Sequence, residues 1–385
     1  MQIQNARVFV RLSCLGTIAL MPLLILPAMI GVLVDRSGMA ESFAGWSASC
    51  NFFGAALVAL LMSLRMHHLS LKTFATLGLS LATVADLLSV LSTGWPTLFL
   101  TVRFLGGIGT GAAYTAALAA FARYEDTDRG YGIFITLQFI VSGLSLYLLP
   151  VYSSTLGTTG MFFILAGFDS AGVLLARHLP GKAIDERAEK SGTSEMSVLM
   201  TAVAVSALLG FCTFEAANTA QFTYIERLGM ALQFGEHKVG TSLLIASFMG
   251  IPGAFAIVLM GERYGRLKPL LAGIGVAIAG LVLLIVTDSY PFYLLANCCI
   301  GFSWAFCLPF IQGLLASLDR DGSVLAAGSF TATIGGAGGP GLAALFVDGG
   351  HYDRVFMMGI ALFILAVIGF SIANRETAPR APLPL

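Results

Sequence analysis

Residues 180–197 read PGKAIDERAEKSGTSEMS, a long run of charged and small polar residues in a chain that is otherwise almost continuously apolar. Working outward from it, apolar runs of the ~20 residues needed to cross a bilayer follow one another with little pause. Before it they fall at roughly 8–34, 45–64, 73–92, 97–121, 132–153 and 160–179; after it, at 198–220, 239–260, 267–288, 290–317, 323–347 and 354–373. The polar stretch therefore separates six spans from six. The sequence predicts an all-α membrane protein with twelve transmembrane helices in two six-helix bundles, 1–179 and 198–385, joined by a linker at 180–197.

Composition points the same way. Apolar residues make up 57% of the chain without counting its 44 glycines, and charged residues only 11%, too few to cover a water-facing surface of this size. The 21 basic and 21 acidic residues cancel, and no basic cluster interleaved with aromatics is present, which excludes nucleic acid as a partner. Cys14, Cys50, Cys212, Cys298, Cys299 and Cys307 all sit in apolar runs without metal or redox spacing, so they read as small buried hydrophobes and no metal site or cofactor is expected. Arg7 and Arg11 before an apolar run resemble a secretion signal, but the run is longer than a signal core and ends without a small-residue cleavage site, so it stays as the first span.

Lysine and arginine are retained on the cytoplasmic side, so loop charges orient the chain. An even number of spans puts both termini on one face. Sixteen of the 21 basic residues lie in loops on that face, Arg36, Arg227, Lys238 and Arg354 lie opposite, and Arg103 is inside a span. Both termini are expected in the cytoplasm.

The two halves also repeat faintly. Gly45 and Ser47 in the second span fall on Gly240 and Ser242 in the eighth, and Gly107 in the fourth falls on Gly301 in the tenth. A six-span unit repeated without inversion is the plan of one class of secondary transporter. The fourth span reads Arg103-Phe-Leu-Gly-Gly107-Ile-Gly109-Thr-Gly111, an arginine followed by glycines at helical spacing. Between the eighth and ninth spans stands Gly261-Glu262-Arg263-Tyr264-Gly265-Arg266-Leu267-Lys268.

These two segments resemble, respectively, the R-x-x-x-G-x-G signature and the D-R-x-G-R-R/K cytoplasmic loop of the major facilitator superfamily, with Glu262 in place of the aspartate. The resemblance implies a gating role for Glu262, Arg263, Gly265 and Arg266, which would tie neighbouring helices together in the outward-facing state. The corresponding first-half loop, Leu64 to Lys72, keeps charge but lacks the acid and the glycine. Gly335 to Gly341 resembles the family's G-x-x-x-G-P element, but in the eleventh span rather than the fifth. Gly31-Val-Leu-Val-Asp35-Arg36-Ser-Gly38 spells much of the loop motif too, yet follows the first span and lies on the wrong face by the charge rule, so a chance match is expected.

Ionisable residues at membrane depth mark functional candidates. Arg103 faces either a wet cavity or the outer interface. Glu215 shares a helical face with Phe211, Asn218 and Phe222. The resemblance places spans 1, 4, 7 and 10 around a central cavity, which implies a substrate and coupling site built from Arg103, Glu215, Asn218, Gln138, Tyr114, Trp304 and Asn297, with Arg103 and Glu215 at its polar centre. Asp86 and Asp169, on spans the family places peripherally, read as structural hydrogen-bonding groups, and Pro22 and Pro27 as kinks in the first span.

The expected function is secondary active transport of a small organic molecule across the cell membrane, the inner one in a Gram-negative source, by alternating access and with a proton as coupling ion. A lipid or lysolipid flippase on the same fold and a non-transporting membrane sensor are the alternatives. The histidines lie in loops or at helix ends with no paired-acid or nucleophile pattern, so no enzyme is expected, and no ATP-binding loop is present. The expected partners are the substrate, the proton or another coupling ion and the lipid bilayer, with the chain a monomer.

Overall fold

A computed structural model describes residues 2–65, 70–121, 127–179, 201–260, 264–318, 323–347 and 349–377. The gate candidates Glu262 and Arg263 and the 180–197 segment lie outside these residues. The described chain is helical throughout: α1 (Gln2–Ala19), α2 (Met21–Leu24), α3 (Leu26–Ser37), α4 (Glu41–Arg65), α5 (Leu71–Ser92), α6 (Pro96–Phe121), α7 (Thr127–Ala176), α8 (Ala202–Ala231), α9 (Glu236–Met260), α10 (Leu267–Val286), α11 (Tyr290–Ala316), α12 (Ser323–Ala344) and α13 (Asp353–Thr377).

Among the described residues, nine helical stretches are long and apolar enough to cross a membrane. One of them, Gly130–Ala176, has 47 residues. At 1.5 Å per residue it would reach about 70 Å, more than twice the ~30 Å hydrocarbon core. Gly157 interrupts it with φ 59° and ψ −171°, a conformation that turns the chain between two arms and that a side chain would oppose. The first apolar run is broken as well. It consists of α1, α2 and α3, interrupted at Leu20 and Ile25, with Pro22 and Pro27 just inside the two restarts, where the missing N–H groups leave the helix ladder incomplete. Ser142 of α7 donates to the Leu24 carbonyl at 2.9 Å beside the second break, satisfying backbone that lipid could not.

Large apolar side chains cover the outward faces of the helices, while Arg103, Asp86, Asp169 and Glu226 are buried among them. Leu77, Leu91, Phe163, Phe255, Val286 and Leu365 point outward, whereas Arg103 is 1% exposed. This is the inverse of a water-soluble protein and suits a lipid solvent. Without a hydrophobic force between helices, close approach depends on small residues. A methyl group at Gly107 of α6 would run into the Asn51 carbonyl of α4, and one at Gly301 of α11 into the Ala246 carbonyl of α9. The same pair of helices thus approaches in the same way in each half, at nearly the sequence offset of the faint repeat. Across the middle, α4 packs on α12, α7 on α9 and α3 on α8.

Of the cysteines, only Cys307 is fully buried; the other five are half-buried. A membrane protein's apolar run faces lipid on one side, so an apolar neighbourhood in sequence does not guarantee burial.

Candidate functional site

Where the two groups of helices meet, a cavity of about 160 Å³ is enclosed by α2, α7, α8, α9 and α11 and the break at Leu20. Glu215, Asn218 and Phe222 reach it from one face of α8, as their spacing required. Gln138 and Phe139 come from α7, and Asn297, Ile300 and Trp304 from α11. Trp304 Nε1 donates to Glu215 Oε2 at 3.5 Å, and the Trp304 ring meets Phe139 edge-on with centroids 6.3 Å apart. The wall is otherwise aliphatic, with Leu20, Leu23, Leu24, Leu243 and Ile300. Such a surface takes a small molecule with a substantial apolar part and a few fixed polar contacts.

Gln138, Glu215, Asn218, Asn297 and Trp304 therefore come together in one place. Arg103 and Tyr114 do not join them. Tyr114 packs against Phe134 at 6.2 Å between ring centroids, against the cluster formed by α1, α4, α5, α6 and both arms of α7. Arg103 turns the other way, toward α5. Its Nη1 lies 2.6 Å from Asp86 Oδ1 and 3.5 Å from Ser89 Oγ, and its guanidinium sits 5.3 Å from the Phe162 ring centre. Asn51 Nδ2 donates to the Arg103 carbonyl at 2.9 Å. The expected pairing of Arg103 with Glu215 is thus replaced by a buried Arg103–Asp86 pair. Asp86 sits on a neighbouring helix whose close packing against α6 leaves a long arginine no exit to solvent.

The segment at 31–38, whose motif match was expected to be chance, is tied to distant helices at one end of the molecule. Arg227 of α8 pairs with Asp35 of α3 at 2.8 Å and with Glu41 of α4 at 3.3 Å. Arg36 reaches Ser153 at 3.0 Å and Glu236 at 3.4 Å. Tyr224 donates to the Glu41 carbonyl at 2.9 Å and Tyr352 to Glu41 Oε1 at 2.5 Å. Burial first, and then the Glu41 carboxylate, push the Tyr352 phenol up from its ordinary value, so it stays a proton donor to that carboxylate. Gly31 leaves room for Glu226, whose carboxylate would collide with any added methyl. A second crossing tie lies deeper. Ser49 of α4 donates to the Ala337 carbonyl and accepts from Gly341 N, both at 2.6 Å, where Pro340 interrupts the ladder of α12.

At the opposite end, Gly265 holds φ 66° in the turn before α10, and Arg266 is exposed, its side chain lying over Gly313 of α11. The signals that could have identified the tied end were acids and arginines clustered just past the ends of apolar runs. Their partners are nearly 200 positions away, and no local pattern points to them.

Residues 12–340 match the family model of the Major Facilitator Superfamily. The chain belongs to that superfamily. No curated protein matches the sequence. Among solved structures, the fold is similar to a point mutant of the nucleoside transporter NupG at TM-score 0.77 and 12% identity, covering 95% of this chain and 99% of that one. It is also similar to the POT family transporter PepTSo at 0.74 and 11%, covering 97% and 99%. A D-xylose–proton symporter aligns at 0.72 and 14%, covering 94% and 96%. At such identities the likeness is one of fold. Superfamily and fold together make this a multi-pass membrane transporter and not an enzyme.

Proposed function

We propose that this superfamily member is a secondary active transporter that carries a small organic molecule by alternating access, coupled to protons through Glu215. The observation that carries the reading is the cavity between the two packed groups of helices, with a carboxylate in its wall. Counting α1–α3 as one span, α7 as two across Gly157, and the glycine-rich α12 as one gives twelve spans. With the loop charges, this count supports cytoplasmic termini, bundles at 1–179 and 198–385 and a cytoplasmic linker between them. The chain acts as a monomer in the cell membrane.

On that orientation the ion pairs around Arg227 form an outer gate, closed in this structure, and the Glu262–Arg266 loop holds the inner side when the outer gate opens. Each gate is a set of charge pairs that one state makes and the other breaks, which is what a bistable carrier needs. Spin-label pairs at Ala40 and Lys238, and at His178 and Tyr264, test the reading without knowledge of the substrate. All four sites are exposed. Acidification of purified protein in nanodiscs is expected to move the two distances in opposite senses. Distances that stay fixed, or that lengthen together, would refute alternating access.

A further inference from the structure

Among the described residues, Glu215 is the one ionisable side chain in the cavity wall. Among the described residues, Glu215 receives only the long hydrogen bond from Trp304, and no lysine, arginine or histidine lines the wall. Arg103 and Arg227 are engaged elsewhere, Arg103 with Asp86 and Arg227 with Asp35 and Glu41. Several polar groups of the lining spend a donor on backbone. Ser142 donates its hydroxyl to the Leu24 carbonyl and Thr219 its own to the Glu215 carbonyl. Asn218 and Asn297 each donate an amide N–H to the carbonyl one turn back, at 2.8 Å. Each of these bonds spends one donor on backbone and uses no side-chain oxygen as an acceptor, while each asparagine keeps a second N–H. Gln221 adds an oxygen: the residue is 1% exposed, lines the cavity, and its Oε1 has no hydrogen-bond partner among the described residues.

An ionised carboxylate at this depth with no cation beside it is costly, so something must neutralise it. A proton on the carboxyl oxygen does so, and so does a positively charged occupant. At a single carboxylate these exclude each other. Resting on the transporter reading above, we infer that the substrate is an organic monocation, an amine or quaternary ammonium with an apolar or aromatic body, which exchanges one for one with the proton on Glu215. Trp304 and Phe139 line the same cavity, where aromatic rings also favour a cation, and the leucines take the apolar body. One proton exchanged for one monocation moves no net charge. Transport is therefore driven by a pH gradient and is indifferent to membrane potential.

The test uses three probes of similar size: benzyltrimethylammonium, benzyl alcohol and benzenesulfonate. Binding to purified protein is read from Trp304 fluorescence after Trp46→Phe and Trp95→Phe, which remove the other two tryptophans. The cation is expected to bind tightest and to release protons into weakly buffered solution. Glu215→Gln is expected to weaken the cation about tenfold more than the alcohol, a loss of one charge interaction, with Glu215→Asp recovering part of it. In proteoliposomes, uptake of labelled benzyltrimethylammonium should follow an imposed pH gradient and ignore a potassium diffusion potential. Absence of saturable cation binding, preference for the alcohol or the sulfonate, or an effect of Glu215→Gln equal on all probes overturns the substrate class. Potential-driven uptake overturns the one-for-one exchange. Any of these results combined with moving spin-label pairs leaves the transporter reading intact, whereas cation binding with immobile pairs refutes that reading instead.

Discussion

Arg227→Gln is the sharpest probe of the outer gate. Arg227 makes two ion pairs across the closed end, and they are not equal. Asp35 has 40% of its side chain exposed, so the 2.8 Å pair is screened by solvent and contributes about 0.5 kcal/mol. Glu41 is 17% exposed, and at 3.3 Å it loses a charged hydrogen bond worth about 1.5 kcal/mol, although Tyr352 still donates to it. The closed outer gate should therefore lose about 2 kcal/mol relative to the open one, a change of roughly 30-fold in their ratio. The Ala40–Lys238 label pair reads this directly as growth of the long-distance population. Pairing the mutation with Asp35→Asn should add little, because that partner has already been lost, and a double-mutant cycle would show the coupling. An unchanged distance distribution in Arg227→Gln, with an unchanged melting temperature, would refute the assignment of these pairs as a gate.

Three further outcomes follow from the packing and the motifs. Arg103→Met should strip Asp86 of its buried partner and cost about 3–5 kcal/mol, seen as a fall in detergent melting temperature, with Asp86→Asn added to it restoring part of the loss. Gly107→Val should force α6 from the Asn51 carbonyl and destabilise by about 1–3 kcal/mol, and Gly301→Val should do the same to α11 against α9; a neutral result at either would deny the close approach. Glu262→Gln should shift the resting population away from the outward-facing state, shortening Ala40–Lys238 and lengthening His178–Tyr264, and normal turnover in that variant would mark the loop as a topogenic one only.

Much of this protein is legible from its chain alone, because lipid leaves a strong mark on composition. Runs of apolar residues, the polar stretch at 180–197 and the arginine and glycines of the fourth span lead to the membrane class and the superfamily. Glu215, Asn218 and Trp304 are legible as well, since a polar group at membrane depth has few reasons to be there. What the sequence left open is direction. Lipid and protein interior are both apolar, so the pattern along a span scarcely records which face is buried, and nothing local to Arg103 indicates that it turns to Asp86 and away from the cavity. Nor could Asp35, Arg36 and Glu41 be matched in advance to Arg227, Glu236 and Tyr352. Those contacts exist only because two distant groups of helices close on one another, and ion-pair distances of a few ångströms between residues some 200 positions apart are set by that packing.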